Sequence, residues 1–209
     1  MLVDDGAFNF AIETSGRIGE IALGQADRII ASAPLPRRRG HGIGLIPTID
    51  QLCREIGLRP NRLTEVYVSL GPGSFTGLRI AIATVKMLAL SRQVRLVGVP
   101  TIEAIMAEHP HSLVCLNESD GTAYCAGSGL KPKLRSMNQI QAIGLPLIRD
   151  ATPRAQTIWQ LGRNRAYRGQ YDDPARLAPL YIRKPKAVIL WDQRQRAEAI
   201  HDPSHQSLE

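Results

Sequence analysis

Ser69–Ile80 reads S-L-G-P-G-S-F-T-G-L-R-I, between a β-type run, Val66-Tyr67-Val68, and an apolar run with helical spacing. A strand, a glycine-rich turn and a helix in direct succession predict an α/β unit. Gly71 and Gly73 lack a Cβ, so they can take positive φ and bring backbone close to another group, while Pro72 stiffens the turn. Ser74 or Thr76 can cap the helix that follows. The free N–H groups and positive dipole end of a helix start favour an anion, so phosphate or carboxylate contact is one reading of the loop. The other is a tight strand-to-helix turn. The turn reading is preferred, because the lysine of a P-loop is missing.

Outward from this loop, residues 7–14, 17–24 and 27–32 are β-prone and are separated by Thr14-Ser15-Gly16 and Gly24-Gln25-Ala26, which predicts a three-stranded meander. A helix over about 45–57, a strand over 65–70, a helix over 77–90 and a strand near 95–99 follow. Three strands, then helix, strand, helix, strand, is the order of a ribonuclease-H-like lobe. Residues 111–117 and 122–127 read as a hairpin across Asp120-Gly121 that opens a second, shorter lobe. The expected class is therefore α/β, with the two-lobed actin-like ATPase fold. Its amino-terminal lobe is expected over 1–105, a smaller lobe over 106–185 and a tail over 186–209. The tail keeps one apolar patch, Val188 to Trp191, and is expected to dock there and then turn disordered.

A chain of 209 residues, 44% hydrophobic and 22% charged, can bury a sizeable core and should be soluble. Its beginning shows neither a basic region with an apolar stretch and cleavage site nor a membrane span, so the expected location is cytoplasmic with no membrane partner. Cys53, Cys115 and Cys125 form no C-x-x-C motif and are read as reduced, mostly buried small hydrophobes. The net charge of +7 suggests attraction to RNA or an acidic partner. Arg37-Arg38-Arg39 and the group Arg163, Arg165, Arg168 are the densest basic clusters. With aromatics at 5%, base stacking is poorly supplied, so any RNA contact is expected at phosphate level.

The helix after the glycine turn has two apolar faces. At a hundred degrees per residue, Leu78, Ile82, Val85 and Ala89 share one face, and Ile80, Ala83, Met87 and Leu90 share the opposite one. Arg79 and Lys86 lie on one flank. A surface helix of a monomer needs a single apolar stripe, so the second is expected to meet another chain rather than more of its own domain. In the preceding helix, Leu45, Ile49, Leu52 and Ile56 form the expected core stripe, with Ile46 and Cys53 to one side.

These motifs resemble the bacterial TsaB (YeaZ) family, partner of TsaD in making threonylcarbamoyladenosine on transfer RNA. G-P-G-S-F-T-G-L-R-I at 71–80 matches the family's most distinctive motif without a substitution. Residues 10–15 (F-A-I-E-T-S) resemble its opening strand, 41–52 its H-x-x-x-L-L-P-x-I helix, 97–104 (V-G-V-P-T-I-E-A) its G-V-S-S-L-E-A stretch and 179–183 (P-L-Y-I-R) its P-x-Y-L-R. The resemblance spans roughly 7–185 and is strong only to 105. It implies a non-catalytic partner that binds TsaD through Ile80, Ala83, Met87, Leu90, Ile46 and Cys53. The ATPase TsaE is implied at the junction, transfer RNA is met indirectly, and a homodimer can form when the chain is alone. Gly71, Pro72, Gly73, Ser74, Phe75, Thr76, Gly77 and Arg79 are implied near a nucleotide site shared between chains. No cofactor is expected on this chain alone, with ATP and Mg²⁺ reserved for the multi-protein complex.

The chemistry-bearing residues agree with an inert role. Glu13 stands where the family usually has the aspartate of I-D-T-S, and a longer carboxylate would place metal-bound water differently. TsaD carries an H-x-x-x-H metal pair; here His41 is followed by Leu45 at that spacing. His201 and His205 are separated by Pro203, and His109-Pro110-His111 reads as a turn. Ser74 is read as a cap rather than a nucleophile, and no peptidase constellation is expected. Where the family often has D-A-R-x-G-E-V-Y, residues 117–124 read N-E-S-D-G-T-A-Y, and the leading carboxylate and arginine are lost. The alternative is a stand-alone nucleotide-binding or phosphotransfer enzyme that uses the 71–77 loop.

Overall fold

The computed structural model describes residues 6–36 and 40–182, with the side chains of 40–43 excepted. Arg37–Arg39, the His41 side chain, His201, His205 and the 186–209 tail therefore lie outside the described residues.

The first sheet contains β1 (Phe8–Glu13), β2 (Glu20–Gln25), β3 (Arg28–Pro34), β4 (Leu63–Gly71) and β5 (Arg95–Pro100), in the spatial order β3-β2-β1-β4-β5. β1, β2 and β3 pair antiparallel as the expected meander, while β4 runs parallel to both β1 and β5. Alternation along each strand sends successive side chains to opposite faces. Phe8, Phe10, Ile12, Ile21, Leu23, Val66 and Val68 face α1 (Gly40–Glu55) and α2 (Phe75–Arg92). Ala11, Ala22, Tyr67, Val97 and Val99 face the other way, toward α5 (Ala155–Tyr167).

That second layer is the part of the first sheet's packing that the sequence concealed. α5 buries Ala155, Thr157, Ile158, Trp159, Gly162 and Ala166, a face too small and too mixed to give an apolar stripe. Close approach explains the small residues: a Cβ on Gly162 would lie 2.4 Å from the Tyr67 ring, and one on Gly24 would lie 2.1 Å from the Trp159 indole. Trp159 Nε1 donates to Asn9 Oδ1 at 2.5 Å, which satisfies both buried polar groups.

The second sheet has the order β8-β7-β6-β9, built from β6 (Leu113–Ser119), β7 (Thr122–Gly127), β8 (Leu130–Ser136) and β9 (Leu147–Arg149). The β6–β7 hairpin turns at Asp120-Gly121, both at positive φ, as the sequence suggested. α3 (Thr101–Glu108) covers one face through Ile102 and Ile105, and α4 (Met137–Ile143) covers the other through Ile140. α3, β8, α4 and β9 were not expected. β8 reads L-K-P-K-L-R-S, and its lysines and proline are those of a protected sheet edge, which erase the strand signal. His109-Pro110-His111 lies between α3 and β6, as expected of a turn.

Candidate functional site

The glycine turn is held from several sides by the protein itself. The Gly71–Pro72 peptide is cis, and Gly71 has φ +99. A Cβ there would lie 2.7 Å from Leu78 Cδ1, so this position needs glycine for conformation and for space. Gly73 needs it for space alone: its φ is not positive, but a Cβ would come within 2.5 Å of the Ser15 carbonyl oxygen. Ser74 caps α2, its Oγ accepting from Gly77 N at 3.2 Å. Gly71 N donates to Thr101 Oγ1 at 3.1 Å and Ser74 N to Ser15 O at 2.6 Å. Thr14 Oγ1 donates to Gly77 O at 3.0 Å. Three amides that an anion would have used are thus bonded internally, which favours the turn reading of the loop.

The residues expected to form one loop site separate into three places. Pro72, Gly73 and Ser74 line a cavity of about 720 Å³ between the two sheets, opposite Leu116, Asn117, Asp150, Ala151 and Thr152, with Ser15, Gly16 and Arg17 between them. Gly71 and Gly77 are buried beneath it. Phe75, Thr76 and Arg79 point outward. There the Arg79 guanidinium lies 5.2 Å over the Phe75 ring, which in turn meets Tyr181 at 5.2 Å between centroids. Sequence reasoning did not assign the cleft residues of the second lobe. Asn117 and Asp150 both have positive φ, a conformation that asparagine and aspartate tolerate best, but their spacing gave no local signal.

Glu13 ends β1 fully buried below this cleft. One carboxylate oxygen accepts from Ser15 N, and Oε2 has no partner among the described residues. Burial outweighs the hydrogen bonds from Ser15, Ser69 and Gly16 and pushes its pKa up to about 7. The carboxyl therefore holds its proton more tightly than an ordinary glutamate does.

The second expected surface has a clearer outcome. The inner face of α2 buries Leu78, Ala81, Ile82, Val85 and Ala89, while Ala83 is exposed, Met87 is 54% exposed and Leu90 is 81% exposed. Ile80 is half-buried against the core. On α1, Ile46 is 45% exposed and flanks an apolar pocket of about 190 Å³ that also takes in Ile49, Leu63 and Leu88. Cys53 corrects the expectation: it is 3% exposed and belongs to the core cluster, forming part of that pocket's wall rather than the outer surface. Leu45 and Leu52 of the expected stripe are buried and Ile49 and Ile56 pack half-buried against the core, while a small rotation of the helix also turns Thr48 and Cys53 inward.

The arginine group on α5 is largely engaged within the chain. Arg163 pairs with Asp27 at 3.2 Å and Glu65 at 3.5 Å, and Arg165 pairs with Glu103 at 2.5 Å and donates to Gly98 O at 2.7 Å. Among the described residues, no group of three or more His, Cys, Asp or Glu could hold a metal ion, and no helix is long and apolar enough to cross a membrane.

Two sheets, each backed by helices, with a cleft between the glycine turn and the far lobe, define a two-lobed α/β protein of the actin-like ATPase fold. The comparisons narrow this. Residues 32–119 match the family model described as TsaD, tRNA N6-adenosine threonylcarbamoyltransferase. The tRNA threonylcarbamoyladenosine biosynthesis protein TsaB of Bacillus subtilis is 32% identical over 101 residues, covering 48% of this chain and 44% of that protein. The TsaB protein of Buchnera aphidicola subsp. Schizaphis graminum is 29% identical over 121 residues, covering 54% and 57%. The chain spans about half the length of the curated relatives it matches. The solved structure of YeaZ from Pseudomonas aeruginosa shares the fold, with a TM-score of 0.69 at 20% identity over 84% of this chain and 99% of that one. The resemblance to the TsaB (YeaZ) family that the motifs carried is thus borne out.

Proposed function

We propose that this chain is a non-catalytic partner of a TsaD-type threonylcarbamoyltransferase, required for threonylcarbamoyl transfer to the adenosine beside the tRNA anticodon. The observation that carries this is the outer face of α2, where Ala83, Met87 and Leu90 are exposed at helical spacing. Exposed apolar side chains gathered on one face of a helix are the kind of surface that a second chain buries. In this reading the lobe of residues 1–105 offers the partner surface, residues 106–185 form the smaller lobe, and the catalytic groups belong to TsaD. A TsaE-like ATPase meets the junction, with ATP and Mg²⁺ held between chains near the outward-facing Phe75, Thr76 and Arg79. Transfer RNA is met through the partner, which puts the protein in the cytoplasm. A homodimer through the same face would compete with the heterodimer, since one surface cannot serve both at once.

The test is reconstitution of threonylcarbamoyladenosine on tRNA from the source's own TsaD, TsaE and threonylcarbamoyl-adenylate synthase, with and without this chain. Formation only in its presence is expected. Met87→Asp should leave the melting temperature unchanged while abolishing both complex formation and product. Equal product without the chain would overturn the reading and turn attention to magnesium-dependent nucleotide turnover by the chain alone.

A further inference from the structure

Cys115 on β6 and Cys125 on β7 stand directly opposite each other in the antiparallel register. Opposed residues on such strands have Cα atoms about 4.5–5.5 Å apart, inside the range of about 4.4–6.8 Å that a disulfide spans. Their sulfur atoms lie 2.7 Å from one another, and both are free thiols. They share a small apolar cluster with Leu113, Ala123 and Ile140, so no rearrangement of strands is needed to join them. Cys53 is also buried, but it lies on α1 in the core of the first sheet.

We propose that Cys115 and Cys125 form a reversible oxidation site, a dithiol that closes to a cross-strand disulfide when it meets a peroxide. Cys115 reacts first, because it retains 4% exposure where Cys125 has none, and burial pushes the Cys125 thiol up to about 12. The Cys115 thiolate attacks one peroxide oxygen and the O–O bond breaks. A sulfenic acid forms, and the departing hydroxide takes up a proton to become water. Cys125 sulfur then attacks the Cys115 sulfur. The S–S bond forms, the S–O bond breaks, and the hydroxide leaves as a second water with the Cys125 proton. Hydrogen peroxide is reduced and the two thiols are oxidised. Cys53, without a second thiol beside it, cannot form a bridge within the chain and keeps its buried thiol.

The closed bond ties β6 to β7 next to Leu116 and Asn117, which line the cleft facing the glycine turn. A dithiol reductant reopens the bond.

The experiment treats the full chain with hydrogen peroxide, quenches in acid, unfolds it and counts alkylatable thiols with peptide mapping. The expected count falls from three to one, with a 115–125 cross-linked peptide that dithiothreitol reverses. In Cys115→Ala the cross-link disappears and Cys125 stays alkylatable or gains oxygen. Three thiols after treatment, a bridge that includes Cys53, or a disulfide-linked dimer on a non-reducing gel would each overturn the proposal. Because the readout needs only this chain, its failure leaves the partner reading untouched.

Discussion

The glycine turn and the outer face of α2 adjoin at Phe75, yet they differ in what they have left to offer. In the turn, the amides of Gly71, Ser74 and Gly77 all have acceptors within the chain. On the outer face, about half of Met87 and most of Leu90 remain exposed. A motif that is distinctive in sequence can therefore be distinctive for building a turn, while the face left exposed carries an ordinary string of Ala, Met and Leu. The same helix supplies its own control, because its inner and outer faces are made of similar residues and differ only in what covers them.

The sharpest break of that comparison is Leu78→Ala on the inner face. It should cost about 4 kcal/mol in a denaturant melt through lost transfer energy and the cavity left behind. If it cost no more than an outer-face change, the helix would not have two distinct faces. Gly73→Ala comes next, at about 3 kcal/mol, because its new methyl meets a backbone carbonyl that cannot swing away. A variant that melted like the wild type would show that the turn is looser than its contacts imply.

Glu13 sharpens the contrast by pH. Its folded pKa of about 7 lies above the ordinary 4.5, so the folded chain keeps a proton there that the unfolded chain has already released. Stability from this group is full below about pH 4.5, declines as the pH rises and is lost once it passes 7. The decline amounts to about 3 kcal/mol across the window. Glu13→Gln should remove that slope and melt higher than the wild type at pH 8. Leu90→Ala stands at the other end, with a change within about 0.5 kcal/mol in the isolated chain. Its effect should appear only as weaker complex formation by sedimentation.

The amino-terminal lobe could be read from the chain because each of its strands alternates or runs apolar and each is bounded by a turn signal. The inner stripe of α2 is visible as Leu78, Ile82, Val85 and Ala89 for the same reason. The outer stripe was visible too, though the sequence could not say whether it was covered. Three kinds of element escaped. α5 packs with glycine and alanine against aromatic rings, so its contacts depend on size rather than hydrophobicity. β8 hides under edge lysines, and β9 is only three residues long. Asn117 and Asp150 reach the cleft through sheet topology, which no window along the chain contains. Cys53 was misplaced by a rotation of α1, a helix with Pro47 inside it and Thr48 turned inward.

Among the described residues, the return of α5 to the first sheet gives two separate passages between the halves, one through α3 and the other at 150–154. A body tethered at a single point can swing in any direction, whereas one held at two points keeps only rotation about the line that joins them. The second sheet is thus anchored to the first at two places, and α3 packs between them. The turn at 71–74 therefore faces one defined wall, formed by Leu116, Asn117, Asp150, Ala151 and Thr152.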